Sequence, residues 1–571
     1  LKPFSVKVTC SLISCERSGP VWPMNLLMVA VNAASTRALT ALAFCLSAGL
    51  GSAEAVKDVS SCAVGLQSNS SLPSQCLDLG ISKLPLSEDE ELSVVSTLLR
   101  IVSLSSGWTC SIFVGIAALL WVIQALHVAW VCIKSSVRRG TILSPQRLTE
   151  GIWTIHQRRY DLSEFADRHP GGALAIDLGR NRDCTVLFES YHALTSRARL
   201  QAVLKKYELP ESKESLGDSQ EQKTTRALDH TSEFSDPFHE AVREFARRHF
   251  KQGSAKMKLG MGVFMASLCV AQLVLMGLML AGYQVAAIVL PFVSGLLAFN
   301  LAHDGSHFAA SSRPIVNRLA AASAPFFWNS AAWMAQHVVQ HHCFTNEEGD
   351  VDMLHFLPWA RASRLTSSKN LRLKLPIWLF VPIVFLFANF KMMLYAPANL
   401  LFVGTVYSEL DNVEDFAAGV RVSMITELGG FLAFCGACVH LHGFLGLCWV
   451  VTALSLSSCI FIIATQGAHL CESSMEATPI SKGWARHQVE SSMNFRPSST
   501  VWAVLTGGLN MQSLHHVLPG VSASHYTDMW PEFEVLCKEH GVRLSQVDGI
   551  APFFQGFVDW MSTLYSEEEA F

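Results

Sequence analysis

The chain has 571 residues, which is more than one soluble domain of ordinary size, so at least two units are expected. Half of the residues are hydrophobic and only 16% are charged, whereas globular proteins average about 25% charged residues. The net charge of −4, without a long basic tract, argues against a nucleic-acid partner, and the shortage of charge predicts a surface that faces lipid.

Residues 1–55 are predicted to be a leader. The first methionine is Met24, and the apolar run ALTALAFCLSAGLG that follows it ends in small residues, as in a secretory signal. The alternative is an apolar leader without signal function. Residues 1–23 precede the first methionine. The polar stretch 56–110 is then a candidate lumenal segment.

Residues 111–133 form an apolar run long enough for one transmembrane helix, which takes about 20 residues. Three basic residues follow at once, Lys134, Arg138 and Arg139, and place that end in the cytosol. Residues 147–208 then have the mixed charge of a soluble domain. The polar stretch 209–233 predicts a flexible linker.

A histidine-containing turn marks the soluble domain. His169 precedes Pro170, Gly171 and Gly172, a sequence that turns sharply and lets the backbone approach a bulky planar group. A second histidine, His192, follows a stretch with helical character. Two neutral imidazoles on opposite sides of an iron would give the six-coordinate centre that suits electron transfer.

The surroundings of this turn resemble the cytochrome b5 family. Trp153, Tyr160, Asp161 and Phe165 stand where that family has its W…YD…F…HPGG pattern, over about residues 147–208. The resemblance implies a small α+β domain that binds haem b. It implies that His169 and His192 are the axial haem ligands. Acidic side chains around the turn form a candidate docking face for a basic electron donor: Asp161, Glu164, Asp167 and Glu189.

Three further histidine clusters follow. They are His303 with His307, then His337 with His341 and His342, and then His515 with His516, which Gln512 precedes. On an α-helix, residues four apart share a face and neighbours differ by about 100°. His303 and His307 would therefore face one way, as would His337 and His341, and adjacent histidines could point at two different metals.

The haem domain in the same chain indicates which metal the histidines bind. Imidazole suits iron, zinc, copper or nickel, so the ligand type does not decide between them. A haem domain in the same chain implies that electrons must reach the second site. Zinc has no redox chemistry, so two non-haem irons that activate O2 are favoured. Because polar groups at membrane depth are costly, histidines beside an apolar run need such a partner.

The clusters and their flanks resemble the membrane fatty acid desaturases over roughly residues 235–560. HHCFTNEEGDVD surrounds the second cluster and GGLNMQSLHHVLPGVSASHY the third. The resemblance implies that the seven histidines of the clusters are metal ligands, with His469 of TQGAH as an eighth. Gln512, where most desaturases have histidine, together with the fused haem domain, resembles the front-end subgroup.

Apolar runs in this region predict about four core transmembrane helices besides the N-terminal one. Runs 259–281 and 283–302 read as a helical hairpin. Because all three clusters must face the haem domain, an even number of crossings must separate the second from the third. One of the remaining three runs therefore does not span, and the proline-interrupted run 375–395 is favoured over 421–440 to lie in the interface.

The sequence thus predicts a mainly α membrane protein with a cytochrome b5-like domain. As a front-end desaturase it would use O2 to place a cis double bond in a polyunsaturated acyl-lipid or acyl-CoA. The resemblance implies that the electrons come from NADH through NADH-cytochrome b5 reductase. A sphingolipid desaturase, a lipid hydroxylase and a non-enzymatic haem electron conduit are the alternatives. The endoplasmic reticulum is the expected membrane, with a plastid membrane as the alternative, and the double-bond position (Δ4, Δ5, Δ6 or Δ8) stays open.

Overall fold

The structure is a computed structural model. It describes residues 151–210, 234, 236–347, 350–354, 361–365, 386–402 and 418–569. Several predictions from the sequence lie outside these ranges: the leader 1–55, the lumenal segment 56–110, the transmembrane helix 111–133 and nearly all of the linker 209–233.

A three-stranded sheet begins the described chain. Strand β1 (Trp153–Ile155) lies in the middle, antiparallel to β2 (Arg158–Tyr160) and parallel to β3 (Arg182–Asp183). The indole N–H of Trp153 donates to the carbonyl of Ile176, 2.7 Å away, on one of the neighbouring helices. This bond fixes the sheet against the helical part of the domain.

Four short helices complete this α+β domain. The side chain of Ser196 accepts a hydrogen bond from the N–H of Arg199 and caps the last of them. His192 lies directly after the third, as the sequence predicted. The helices are α1 (Ser163–Ala166), α2 (Ala173–Asp177), α3 (Thr185–Tyr191) and α4 (Arg197–Leu204).

The predicted helical hairpin is present after an amphipathic helix. Helix α5 (Pro237–His249) precedes α6 (Leu259–Leu280), which a short turn joins to α7 (Ala286–Leu297). Helix α7 continues through a π-helical segment, Ala298–Ala302, into α8 (His303–Ser306). The hairpin therefore delivers the first histidine cluster at the end of an apolar helix.

The next helices carry the second histidine cluster. Its histidines lie in a π-helical segment, Met334–His341, and in the helix that follows it. The elements are α9 (Pro314–Ala321), α10 (Ser330–Trp333), α11 (His342–Phe344), the 3₁₀ turn Val351–Leu354, the π-helical segment Lys391–Tyr395 and α12 (Ala396–Phe402). The first part of the run 375–395 lies outside the described residues.

Helix α13 (Ala418–His469) is two helices joined at Gly443. That glycine has φ 58° and ψ −137°, which no helix accommodates. A Cβ at Gly446 would lie 2.0 Å from the carbonyl oxygen of Cys438, so the two arms approach closely. The run 421–440 is helical without interruption, and each arm has the length of one crossing.

Three described helical stretches are long and apolar enough to cross a membrane: Leu259–Leu280, Ala286–Ser306 and Val420–His469. Large apolar side chains stand exposed along the first of them, which a lipid environment would cover. They include Leu259, Val263, Val270, Leu273 and Val274. The described fold is mostly helical and agrees with a membrane protein.

The C-terminal part of the chain packs against these helices. Strands β4 (Met493–Phe495) and β5 (Ser545–Val547) pair in parallel. The third histidine cluster lies on a short buried helix. The helices are α14 (Glu472–Met475), α15 (Trp484–Glu490), α16 (Thr500–Thr506), α17 (Gln512–Val517), α18 (Tyr526–Glu539) and α19 (Ile550–Glu569).

The small α+β domain is docked on the helical part of the chain. Leu178 packs in one apolar cluster with Ala321 and other residues from α9 to α13. A Cβ at Gly172, where φ is 87°, would lie 2.6 Å from the Cβ of Pro314, so the turn after His169 meets α9. The second glycine of the turn therefore serves this contact.

A buried ionic contact joins the same two parts. The carboxylate of Glu189 on α3 accepts hydrogen bonds from Arg197, from His156 and from Arg243, which lies on α5. Glu189 is only 2% exposed, so it does not belong to the predicted acidic docking face. Asp161, Glu164 and Asp167 are exposed.

Candidate metal and haem sites

His169 and His192 face each other across the small domain. Their ring centroids are 6.0 Å apart, with ring planes at 74°. Nδ1 of His192 donates to the carbonyl of Phe188 at 2.7 Å, which leaves Nε2 as the coordinating atom. Burial, and next the charge of His192, lowers the pKa of His169 to about 4, so its ring is neutral. The pair could hold a haem iron.

The eight histidines predicted for the metal site converge from four parts of the chain, and all are buried. The ligand atoms of His303, His307, His337 and His515 lie within 4.8 Å of one another. The ligand atoms of His341, His469 and His516 form a second set and also lie within 4.8 Å of one another. His342 joins His515 and His516 in a third set and thereby links the other two.

The closest approaches run between Nε2 atoms. Nε2 of His337 lies 3.1 Å from Nε2 of His303 and 3.2 Å from that of His342. Nε2 of His342 lies 3.0 Å from that of His515. Such a convergence of lone pairs in a buried site fits metal binding.

π-Helical geometry decides which histidines come together. The α-helical spacing predicted that His337 and His341 share a face, and their rings do stack with centroids 5.4 Å apart. A π-helix bonds residue i to i+5, however, so Nε2 of His337 meets Nε2 of His342, five residues on. The ligand atoms of His337 and His341 consequently belong to different sets.

Several buried nitrogen atoms in this cluster have no hydrogen-bond partner among the described residues. They are Nδ1 of His303, Nε2 of His307 and Nδ1 of His342. Leaving a buried polar group unsatisfied costs about 1–3 kcal/mol. A cation held by the converging Nε2 atoms would satisfy Nε2 of His307, and the all-nitrogen donor set fits a pair of metal ions.

Outer partners hold the Nδ1 atoms of the candidate ligands. Nδ1 of His469 donates to the carbonyl of Ser491 at 2.9 Å, and Nδ1 of His516 donates to Oε1 of Gln488 at 2.8 Å. An imidazole whose Nδ1 is occupied in this way presents Nε2 to a metal in a fixed orientation.

Two carboxylates lie beside His341. Nδ1 of His341 is 3.1 Å from Oδ2 of Asp350 and 3.5 Å from Oδ2 of Asp352. Burial acts to lower the pKa of His341, but the charges of Asp350 and Asp352 outweigh it and raise the pKa to about 9. The carboxylates therefore favour positive charge at this ring.

The other histidines of the clusters are neutral. Burial, reinforced by the neighbouring histidines, lowers the pKa well below its usual value at His307, His337, His342, His515 and His516. A neutral imidazole is the form that binds a metal.

Gln512 reaches the second set of histidines. Its side-chain amide nitrogen lies 2.9 Å from Nε2 of His469 and 3.1 Å from Nε2 of His516. A half-turn of the amide would place Oε1 there instead, and Oε1 has no partner among the described residues. Gln512, which precedes the two histidines of the third cluster, is thus part of the site.

A pocket opens beside the histidines. Trp333 stacks on His337 with ring centroids 4.2 Å apart, and Trp328 stacks on Trp333 at the same distance. The pocket combines apolar and aromatic walls with polar groups near the histidines. Its lining includes Phe299, Trp328, Trp333, Gln336, Asp352, Phe461, Thr465, Gln466 and Leu509.

The sequence reasoning did not assign several residues that contact the candidate ligands. Asp350 lies in the quoted flank of the second cluster, nine residues after His341, and its acidic character was a usable signal. Tyr526 likewise ends the quoted flank of the third cluster, eleven residues after His515. Gln488 lies 28 residues before His516, which it contacts, and Tyr191 belongs to the other domain. No sequence spacing indicates these last two partners.

Comparisons with known proteins agree with this geometry. The model of the fatty acid desaturase family matches residues 243–548, and that of the cytochrome b5-like haem/steroid binding domain matches residues 143–211. An acyl-lipid omega-13 desaturase of Chlamydomonas reinhardtii is 29% identical over 441 residues, which cover 70% of this chain and 91% of that protein. An acyl-lipid (8-3)-desaturase of Mortierella alpina is 28% identical over 436 residues, covering 72% and 92%.

A third relative is a probable Delta(5) fatty acid desaturase C of Dictyostelium discoideum, 23% identical over 455 residues that cover 74% of this chain and 93% of the relative. All three alignments extend over most of the relative. With its desaturase match, its haem-type domain and its apolar helices, the chain belongs to the fatty acid desaturase family, as an oxidoreductase that carries a cytochrome b5-like domain before its desaturase domain.

Proposed function

We propose that this protein is a front-end acyl-lipid desaturase that receives electrons through its own haem domain. It inserts a cis double bond between the carboxyl end and an existing double bond of a polyunsaturated chain. The observation that carries the proposal is the convergence of eight buried histidines beside an aromatic pocket. A haem-type domain is docked on the same helical part of the chain through an apolar cluster.

Two irons held by these histidines would supply the O2 chemistry that removes two hydrogens from an unactivated chain. His303, His307, His337 and His515 would hold one iron, and His341, His469 and His516 the other, with His342 between them. The outer partners Asp350, Ser491 and Gln488 fix the rings and thereby the geometry of the site.

The pocket would receive the acyl chain. Trp328, Trp333, Phe461 and Leu509 offer an apolar wall against which a hydrocarbon can lie next to His337. The same wall keeps bulk water from the reacting carbon. Polar groups in the lining, such as Gln466, would limit where the chain can lie and so help to select the carbon that meets the irons.

The front-end assignment is supported by the third histidine cluster. Gln512 takes the place of its first histidine and contacts His469 and His516. The relatives' names include (8-3)-desaturase and Delta(5) desaturase, but also omega-13 desaturase. The position of the new bond therefore has to be measured.

Electrons would come from NADH through a cytochrome b5 reductase. Asp161, Glu164 and Asp167 are exposed on the haem domain and suit a basic partner. The endoplasmic reticulum is the proposed membrane, with the haem and the irons on its cytosolic side.

Product analysis tests the proposal. The full chain is expressed in a host that lacks polyunsaturated acids, single fatty acids with known double bonds are fed, and lipid products are identified by mass spectrometry. A His515→Ala variant serves as the matched control. A new cis bond on the carboxyl side of an existing one supports the proposal, and purified acyl-lipid and acyl-CoA substrates then identify the carrier.

Other products would favour other functions. A new bond on the methyl side would contradict the front-end assignment but leave a desaturase. A hydroxylated chain or a desaturated sphingoid base would favour the corresponding alternative enzymes. No product with any substrate, in a protein that still binds haem, would favour an electron conduit.

A further inference from the structure

One residue of the haem domain contacts a candidate iron ligand directly. The phenol oxygen of Tyr191 lies 2.5 Å from Nδ1 of His307. The two rings are nearly parallel, at 17° with centroids 6.1 Å apart. These residues are 116 positions apart in the chain, so only the docking of the two domains brings them together.

The contact fixes the ring of His307. When Nε2 binds a metal, a neutral imidazole carries its proton on Nδ1 and donates it to a partner. The phenol oxygen of Tyr191 accepts that proton here. Nε2 of His307 is buried and has no partner among the described residues, as a coordinating atom should be.

Tyr191 also adjoins a proposed haem ligand. It precedes His192, the proposed haem ligand, at the end of α3, and the carbonyl of Phe188 on the same helix holds Nδ1 of His192. One peptide unit, one side chain and one hydrogen bond therefore connect the two metal-binding histidines, His192 and His307.

The docked interface keeps this connection in place. Tyr191 packs with Leu174, Leu187 and Phe308 around the apolar cluster that joins the domains. The buried contact of Glu189 with Arg243 ties the preceding turn of α3 to α5. Helix α3 is therefore held to the desaturase domain by an apolar contact and by an ionic one.

We infer that Tyr191 is a positioning residue through which the haem domain completes the iron site and couples the haem to it. This rests on the proposed di-iron function. A haem held by His169 and His192 would lose one electron in each transfer, passing from ferrous to ferric, and an iron held by the histidine site would gain that electron, passing from ferric to ferrous. Tyr191 neither gains nor loses a proton in this transfer, and none of its covalent bonds changes. A one-electron donor of the reductase class re-reduces the haem between the two transfers.

A second tyrosine provides a matched comparison. The phenol oxygen of Tyr526 lies 3.3 Å from Nδ1 of His515, another candidate ligand, and its O–H donates to the carbonyl of Val521. Tyr526 belongs to the desaturase domain, and its hydrogen bonds among the described residues go to His515 and Val521 and not to a residue of the haem domain. Loss of its hydroxyl disturbs a ligand without touching the connection to the haem.

The test measures transfer from haem to iron without substrate or O2. The full-length protein is purified in detergent, its haem is reduced by a flash of light with a photosensitiser under argon, and haem re-oxidation is followed optically. Tyr191→Phe, Tyr526→Phe and Tyr207→Phe are compared, the last being a haem-domain tyrosine that packs on Phe165. Iron per haem and the haem midpoint potential are measured on the same samples.

In Tyr191→Phe, the rate of haem re-oxidation per bound iron is expected to fall about tenfold or more, by analogy with the loss of metal affinity or activity that removal of a ligand's outer partner typically causes. Its haem spectrum and potential stay unchanged. Tyr526→Phe changes iron content at most, and Tyr207→Phe matches the wild type. A wild-type rate of haem re-oxidation per bound iron in Tyr191→Phe would overturn the inference, whatever the iron content of the variant.

The same data separate this inference from the proposed function. Wild-type protein with haem but without non-haem iron would refute the di-iron function itself. Wild-type protein with iron and desaturated product, beside a Tyr191→Phe variant that re-oxidises its haem equally fast, would refute only the role of Tyr191.

Discussion

Oδ2 of Asp350 lies 3.1 Å from Nδ1 of His341, and both side chains are buried. The carboxylate fixes the ring so that Nε2 faces His469 and His516, its partners in the second set. It also supplies negative charge that a bound cation would balance.

Asp350→Asn should therefore weaken iron binding. The amide keeps the size of the side chain but removes its charge, and loss of such an outer partner typically costs about 10–100-fold in metal affinity or activity. Iron per haem in purified protein is the measurement. Asp559→Asn, a change at an exposed residue of α19, is the control and should keep full iron. Equal iron in both variants would refute the role given to Asp350.

His341→Ala should abolish desaturation and leave the haem spectrum intact. The side chain belongs to the second ligand set and lies outside the haem domain. Product formation from a fed fatty acid and the visible spectrum are measured together. His440→Ala, at an exposed position of α13, should retain activity. Activity in the His341 variant would remove that residue from the proposed ligands.

His169→Ala should have the opposite spectroscopic effect. Its ring faces that of His192, so its removal leaves the haem iron with one protein ligand. We expect the haem absorption to be lost or strongly altered, while non-haem iron remains. Desaturation should fall with it, because the irons lose their electron source. A six-coordinate haem spectrum in this variant would identify another axial ligand.

Acid should weaken the attachment of the haem domain through Glu189. Burial acts to raise the pKa of this carboxyl, but the hydrogen bond from His156 and the charges of Arg197 and His239 outweigh it and lower the pKa to about 2. A group whose pKa is depressed by folding stabilises the fold above its ordinary value, about 4.5, and loses this effect as the pH falls toward 2. The contribution is on the order of 3 kcal/mol.

Thermal unfolding of the haem domain, followed by its absorption between pH 7 and pH 3, measures this contribution. Glu189→Gln should lower the melting temperature at pH 7 and reduce its fall with acid. Glu164→Gln, at an exposed position, should behave as the wild type. If Glu189→Gln lowered the melting temperature, relative to the wild type, as much at pH 3 as at pH 7, the assignment would be contradicted.

Much of the architecture could be predicted from local sequence. The apolar runs before and after Gly282 are long enough to be a helical hairpin, and the structure has helices at Leu259–Leu280 and Ala286–Leu297. The sequence HPGG and the position of His192 predicted the cytochrome b5-like domain that the comparison confirms. These signals are local because hydrophobic length and turn chemistry act over a few residues.

The pairing of the histidines could not be predicted in this way. A π-helix inserts an extra residue per turn, so His337 meets His342 and leaves His341 to His469 and His516. An α-helical wheel cannot anticipate this shift, because tertiary packing and not local propensity stabilises so long a π-helical segment.

The sequence by itself determined the residue types, the apolar spans and the family, since each depends on side-chain chemistry or on short-range order. Only the tertiary structure decided that Glu189 is an interface residue and not part of an exposed acidic face, and that Tyr191 reaches His307. Both depend on how one domain is docked on another. That docking is set by the summed packing and charge pairing of residues far apart in the chain, which no local pattern encodes.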